Sequence, residues 1–294
     1  MDLADLASLQ PPHLRAVLPG FMALFIEDPD RRPANMARTT ARVSGWSDET
    51  CEVLLHALQH LGEEPKLYDP HPESRALSRD WMTDVIEASE VIGLDHLAGL
   101  DGPVVFVANH LSYVDSTAVD CALAMAGRTD LADRIVSIAG PKVYADTFRR
   151  IATSCIATLP VPQSNAVATD GPEESPRALA RKAIRSIRAA EALLLAGRHL
   201  LLYPEGRRSR TGRLGPFLPG VHRYLALDEV KAVPLALAGT NALMPIGQDR
   251  LHPGRLSVRF GEPVTVRDHG GPKAVLPLLH QRLADLLPDE QKPI

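Results

Sequence analysis

Twice in this chain a short, wholly apolar run breaks off into polar, turn-forming residues. VVFVA at 104–108 passes straight into Asn109 and His110, and HLLLY at 199–203 passes into Pro204-Glu205-Gly206, then Arg207, Arg208, Ser209 and Arg210. Short apolar runs bounded by turn residues read as strands. A strand that stops in chemistry-bearing side chains and then enters a helix is how an α/β sheet presents ligand-binding groups. The pairing therefore constrains both the fold and the place on it where function sits.

The rest of the pattern extends the same sheet. Strands are expected at 103–108, 134–139, 199–203, 232–238 and 255–260, and helices at 112–126, 177–196, 219–227 and 273–287. Alternation of this kind predicts an α/β fold, a mixed sheet flanked by helices. Residues 1–80 show helix-like apolar spacing at Val53, Leu54, Leu58 and Leu61, broken by Pro- and Gly-rich turns. The chain thus divides into an N-terminal helical region, 1–80, and a catalytic domain, 81–294. The polar, Pro-rich stretch 160–176 reads as a loop.

His followed five residues later by Asp occurs three times, at His110/Asp115, His96/Asp101 and His280/Asp285. With 11 His in the chain, about one such match is expected by chance. Context separates them. His280 and Asp285 lie in one helical stretch, where five residues turn the side chains roughly 140° apart. His96 lies in a Gly- and Asp-rich connection. Only His110 stands between a strand and a helix start. There Ser112 and Asp115 read as a capping box, Ser112 the N-cap and Asp115 the third helical residue. The same bend lets Asp115 hold one imidazole nitrogen of His110 while the other acts as a base.

The arginines after Pro204-Glu205-Gly206 carry a different chemistry. Glycine lets backbone approach a ligand closely, and guanidinium offers a planar fork to phosphate or carboxylate oxygens. A charged surface turn would explain the arginines but not the apolar strand running into them. A base with its carboxylate, beside a turn crowded with guanidinium groups, suits acyl transfer from a thioester to an anionic alcohol.

These segments resemble the lysophospholipid/glycerol-phosphate acyltransferases of the bacterial 1-acylglycerol-3-phosphate acyltransferase type. The resemblance runs over about 90–265 in four ordered blocks: GPVVFVANHLSYVD, IVSIAGPKVYADTF, LLLYPEGRRSRTGRLGPFLPG, and VKAVPLALAG with LSVRFGEPV. It implies His110 as general base and Asp115 as its orienting partner. It also implies Glu205, Gly206, Arg207, Arg208 and Ser209 around the acceptor, and Pro234 near a substrate cavity. The co-substrate implied is acyl-CoA or acyl carrier protein, with no further cofactor and no metal. The acceptor implied is glycerol phosphate, lysophosphatidate or a related lysolipid. One departure stands out. The family's second block usually closes on an Arg that meets the acceptor phosphate, and here Gln163 or Asn165 falls near that place. Arg149, Arg150, Arg207 and Arg210 are left as substitutes. An acceptor without phosphate, a thioester hydrolase on the same fold, and a non-catalytic lipid-binding module are the alternatives.

Composition narrows the classes further. A net charge of −4 argues against a general polyanion binder, so no nucleic-acid partner is expected. Cys51, Cys121 and Cys155 are odd in number and lack metal-ligand spacing, which predicts free thiols in a reducing compartment. No apolar run reaches the eighteen or so residues of a membrane span, and the acidic opening MDLADLASLQ does not resemble a signal peptide. A cytoplasmic protein is expected, with peripheral membrane contact left open. The cluster Phe21, Met22, Leu24, Phe25 and Ile26 either packs the N-terminal region onto the catalytic domain or touches a bilayer.

Overall fold

The computed structural model describes residues 3–162 and 175–294. Among these residues the chain forms one eight-stranded mixed sheet with helices on both faces. Five N-terminal helices come first: α1 (Leu3–Ala7), α2 (Pro11–Ala23), α3 (Arg32–Val43), α4 (Asp48–His60) and α5 (Pro72–Thr83). Next are β1 (Ile86–Ile92), β2 (Val104–Ala108), α6 (Asp115–Met125), α7 (Thr129–Ala132), β3 (Ile135–Ala139), α8 (Thr147–Ser154) and β4 (Thr158–Pro160). The remainder comprises α9 (Pro176–Leu195), β5 (His199–Leu202), β6 (Lys231–Ala238), α10 (Thr240–Leu243), β7 (Gly254–Phe260), β8 (Val264–Thr265) and α11 (Leu276–Leu286). Along the sheet the order is β1-β7-β6-β2-β5-β3-β4, with β8 joined to β6.

β2 lies at the centre because both its faces are apolar. Val104, Phe106 and Ala108 enter one core cluster, and Val105 and Val107 enter another. This is the period-two alternation of a strand covered on both sides. The first cluster is completed by α1, α2, α4, α5 and α6, so the N-terminal helices share a core with the sheet. Side chains of α9 and α11 build the second. β2 runs parallel to β5 on one side and β6 on the other, while β7 is antiparallel to β6. The turn after β6 requires Gly239, whose φ is +100° and where a Cβ would lie 2.0 Å from the Arg255 carbonyl oxygen.

The five strands expected from the sequence are present within a residue or two of their bounds. Those it does not signal are β1, β4 and β8. β1 is an edge strand with largely exposed residues, and the other two are three and two residues long. None of them needs the unbroken apolar run that marks a central strand. The helix expected over 219–227 is instead a 3-10 turn, Pro219–Leu225, in a stretch holding Gly220 and too short to propagate an α-helix.

In the N-terminal cluster, Met22 and Ile26 are buried and Phe25 stacks on Phe148 of α8 at 4.3 Å between ring centroids, leaving Leu24 exposed. These contacts belong to the packing reading. The three cysteines are free and buried. No helix among the described residues is long and apolar enough to cross a membrane.

Candidate functional site

The register of the central strands brings the two polar segments together. β2 and β5 pair from Val104 with His199 to Val107 with Leu202, so both chains leave the sheet side by side. Three residues beyond the ladder's end the His110 backbone N–H donates to Glu205 Oε1 at 2.8 Å. The Ser209 N–H then donates to the His110 carbonyl at 2.7 Å. Asn109 locks the other side: its amide donates to the Leu237 carbonyl and accepts from the Leu237 N–H, at 2.9 and 2.7 Å. The backbone at His110 is thus tied to the strands on both sides.

His110 Nδ1 lies 2.7 Å from Asp115 Oδ2. That oxygen also accepts from the backbone N–H groups of Leu111 and Ser112, at 2.8 and 3.0 Å. An ionised carboxylate only accepts, so Nδ1 carries the proton in this pair. Nε2 has no hydrogen-bond partner among the described residues and is not one of their sealed polar atoms. The imidazole ring stacks on Tyr203, 4.5 Å between centroids at 27°. The Tyr203 hydroxyl shares a hydrogen bond with Ser116 Oγ at 2.8 Å, and Ser116 shares another with Ser137 Oγ at 2.7 Å. A neutral imidazole with one nitrogen held by a buried carboxylate and the other open is arranged to accept a proton.

The capping box forms only by half. Asp115 does reach back to the Ser112 N–H, while the Ser112 hydroxyl donates to the Met244 carbonyl at 2.9 Å and its oxygen makes no cap to the helix. The helix therefore starts at Asp115 itself, after Val114, and not at Ser112. The Ser112 oxygen accepts only a long 3.5 Å contact from the Val114 N–H, and residues 111–114 remain a turn.

Glu205 is buried, and both its oxygens are occupied. Oε1 takes the His110 N–H and Oε2 the Gly215 N–H at 2.8 Å. Burial raises its carboxyl above the ordinary value, opposed by those two backbone donors. The side chain acts as a strut between the His110 turn and the loop after β5. Glu205→Gln is accordingly expected to cost about 1–3 kcal/mol, because one backbone N–H would face an amide donor. Urea denaturation would measure it; an unchanged midpoint would show that the strut carries no energy. Gly206 has φ +66°, and a Cβ there would lie 2.3 Å from Leu218 Cδ1, so the turn demands glycine. The Ser209 hydroxyl donates to the Arg213 carbonyl at 2.6 Å.

Arg208 lies over the ring of Tyr113, its guanidinium carbon 3.5 Å from the centroid, a cation–π contact. It has no hydrogen bond or ion pair to any described residue. Arg207 and Arg210 are exposed. Pro234 sits inside β6 opposite Val107, the last residue but one of β2. Gln163 and Asn165 lie outside the described residues. The two other histidines are elsewhere: His96 Nδ1 donates to the Phe260 carbonyl at 3.0 Å, and His280 Nε2 to the Gly215 carbonyl at 3.1 Å.

Tyr203, Tyr113 and Asn109 are site residues to which the sequence reading gave no role. The signal for Tyr203 was available. It is the aromatic that closes an apolar strand just before Pro204-Glu205-Gly206, level with Ala108, two residues before His110, once the two strands pair in parallel.

A family model described as Acyltransferase matches residues 88–238. The chloroplastic 1-acyl-sn-glycerol-3-phosphate acyltransferase BAT2 of Brassica napus is 27% identical over 177 residues, 60% of this chain and 45% of that protein. The chloroplastic 1-acyl-sn-glycerol-3-phosphate acyltransferase LPAT1 of Arabidopsis thaliana is 29% identical over 185 residues, 63% of this chain and 44% of that protein. The chain thus matches less than half the length of either relative. The crystal structure of the 1-acyl-sn-glycerophosphate acyltransferase PlsC from Thermotoga maritima is similar at 15% identity and a TM-score of 0.49, covering 90% of this chain and 84% of that one.

Proposed function

The chain belongs to the acyltransferase family, and on that premise we propose that it moves a fatty acyl group from a thioester to the hydroxyl of a phosphate-bearing lysolipid. The donor is acyl-CoA or acyl carrier protein, and the acceptor is lysophosphatidate, glycerol phosphate or a close relative. The observation that carries the reading is the 2.7 Å contact between His110 Nδ1 and Asp115 Oδ2, with Nε2 open. Similarity to two 1-acyl-sn-glycerol-3-phosphate acyltransferases supports the choice of acceptor.

The steps follow from the side chains. His110 Nε2 removes the proton from the acceptor hydroxyl as its oxygen attacks the thioester carbonyl. The imidazolium so formed is paired with the Asp115 carboxylate. When the tetrahedral species collapses, the C–S bond breaks, and the thiolate leaves with the proton that His110 carried. Arg208 binds the acceptor's phosphate and so sets the hydroxyl near His110. Tyr203 stacks against the imidazole and limits its rotation. A lysolipid acceptor would be met at a membrane surface, and glycerol phosphate in solution.

Arg208→Ala tests the acceptor half. A charge-assisted hydrogen bond is worth about 1.5–3 kcal/mol, so KM for the lysophosphatidate acceptor should rise about ten- to a hundredfold. KM for the thioester should stay near the wild-type value, as expected when an interaction made in ground and transition states alike is removed. Arg208→Lys should recover part of the loss, because an ammonium lacks the bidentate fork. A wild-type enzyme that releases free fatty acid equally fast with and without acceptor would be a hydrolase, and the proposal would fail.

A further inference from the structure

The His110 imidazole is met on its edge by Asp115 and on its face by Tyr203, 4.5 Å between ring centroids and 27° from parallel. The strand pattern explains the second contact. Side chains two apart along a strand share a face. Phe106 and Ala108 of β2, Ile135 of β3 and Leu201 of β5 all enter the core cluster that α6 completes. Ser137 and, just past the ladders, His110 and Tyr203 continue that alternation. Each then meets the start of α6: His110 at Asp115, and the other two at Ser116.

Ser116 Oγ lies 2.8 Å from the Tyr203 hydroxyl and 2.7 Å from Ser137 Oγ, so three hydroxyls form one chain. Ser137 belongs to a strand whose five residues are all buried. Burying a hydroxyl is costly unless it is bonded, and an alanine there would need no partner. The chain ties the phenol end of Tyr203 to α6 and β3 together, so the ring cannot swing away from the imidazole without breaking it. Burial, reinforced by the charge of Asp115, pushes the Tyr203 phenol well above its ordinary value, so the ring stays neutral. A neutral ring turns the negative face of its quadrupole toward its neighbour. Against neutral imidazole this is ordinary stacking. Against imidazolium it becomes attraction between a cation and a π face. The contact therefore strengthens as His110 takes the acceptor's proton, which is what lowers a barrier.

We propose that Tyr203, anchored through Ser116 to Ser137, is a positioning residue that favours the charged form of His110 during proton transfer. This rests on the reading of His110 as general base, and goes beyond the limit that stacking sets on the imidazole's rotation. Tyr203 acts through His110 and touches neither substrate. Asp115 also faces the imidazole, Glu205 accepts from the His110 backbone N–H, and Arg208 lies over Tyr113 in the same turn. All three are unchanged in the variants that test the ring, so their effects cancel in the comparison.

The test measures kcat, both KM values and the pH dependence of kcat/KM with lysophosphatidate and acyl-CoA, in wild type, Tyr203→Leu and Tyr203→Phe. A cation–π contact sets the scale, so Tyr203→Leu should lower kcat about two- to thirtyfold with both KM values near wild type. Without the ring, imidazolium is less favoured and His110 gives up its proton more readily. The acid limb of the profile should therefore move down by about 0.3–1.5 pH units, the same factor read as a titration. Tyr203→Phe keeps the π face and loses the anchor, so its kcat should fall less and its limb stay at the wild-type pH. Wild-type kcat in Tyr203→Leu overturns the inference. So does a fall in kcat with an unmoved limb, or equal damage from Tyr203→Phe, since either leaves the π face without a role. If Tyr203→Leu does not fold, a ring-fluorinated phenylalanine in place of Tyr203 carries the test, because it keeps the shape and weakens the π face. Its kcat and acid limb should then lie below those of Tyr203→Phe, and equality overturns the inference. His110→Ala, assayed alongside, separates the two readings. Full activity in that variant would overturn the base itself, whereas an inactive His110→Ala beside a wild-type Tyr203→Leu overturns only the role of the ring.

Discussion

Replacing His110 with alanine is expected to lower the rate of acyl transfer about a hundred- to ten-thousand-fold, the range for removing a positioned base. The fold should survive. The imidazole's structural contacts are its stack on Tyr203 and its bond to Asp115. An aromatic pair contributes only about 0.5–1.5 kcal/mol beyond the area it buries. The ties that position this turn run through the backbone of His110, which alanine retains: the N–H to Glu205 and the carbonyl to Ser209. Loss should appear in kcat, with acceptor and donor KM values nearly unchanged. His96→Ala is the control, since His96 bonds the Phe260 carbonyl at 3.0 Å, away from this turn. Equal damage from His96→Ala would mean the base has been misassigned.

Why His110 and not the other two histidines was legible in the sequence reduces to burial. β2 and β5 are covered on both faces, so each shows an unbroken apolar run, and the run's end locates the site. The same reasoning could not find β1 or β4, which lie on the sheet's two edges, where nothing requires such a run. Asp115 was legible as a partner of His110, but its helix position was not. The Ser112 hydroxyl is aimed at the Met244 carbonyl, 132 residues away in sequence, a partner that local spacing does not show. The same limit applies to Tyr113, which meets Arg149 and Arg208 only because three strands exit the sheet together. Local spacing records what a residue's neighbours demand. A contact between three loops depends on strand order, which spacing does not carry. Glu205 illustrates the middle case. The sequence marked it as a site residue, and the fold makes it a strut between two backbone N–H groups.

Asp115→Asn is expected to separate two roles that one carboxylate performs. Oδ2 accepts from Leu111 and Ser112, which shapes the turn, and from His110 Nδ1, which orients the base. An asparagine oxygen in that position retains all three acceptor contacts. Its NH2 would then occupy the place of Oδ1, which is buried and has no partner among the described residues. A sealed donor of that kind costs about 1–3 kcal/mol, so some loss of stability is expected whatever the residue does in turnover. The effect on turnover should be far larger. A neutral amide cannot balance the imidazolium formed as His110 takes the acceptor's proton, and the amide can turn its NH2 toward Nδ1 and force the wrong tautomer. In a Ser-His-Asp triad the same exchange lowers kcat about ten-thousand-fold. A fall of at least a hundredfold in kcat, with a modest drop in melting temperature, would show that the charge is used in the reaction. If kcat holds and only the melting temperature falls, Asp115 shapes the turn and His110 acts without a charged partner. The imidazolium would then have to be stabilised by something other than the carboxylate 2.7 Å from Nδ1.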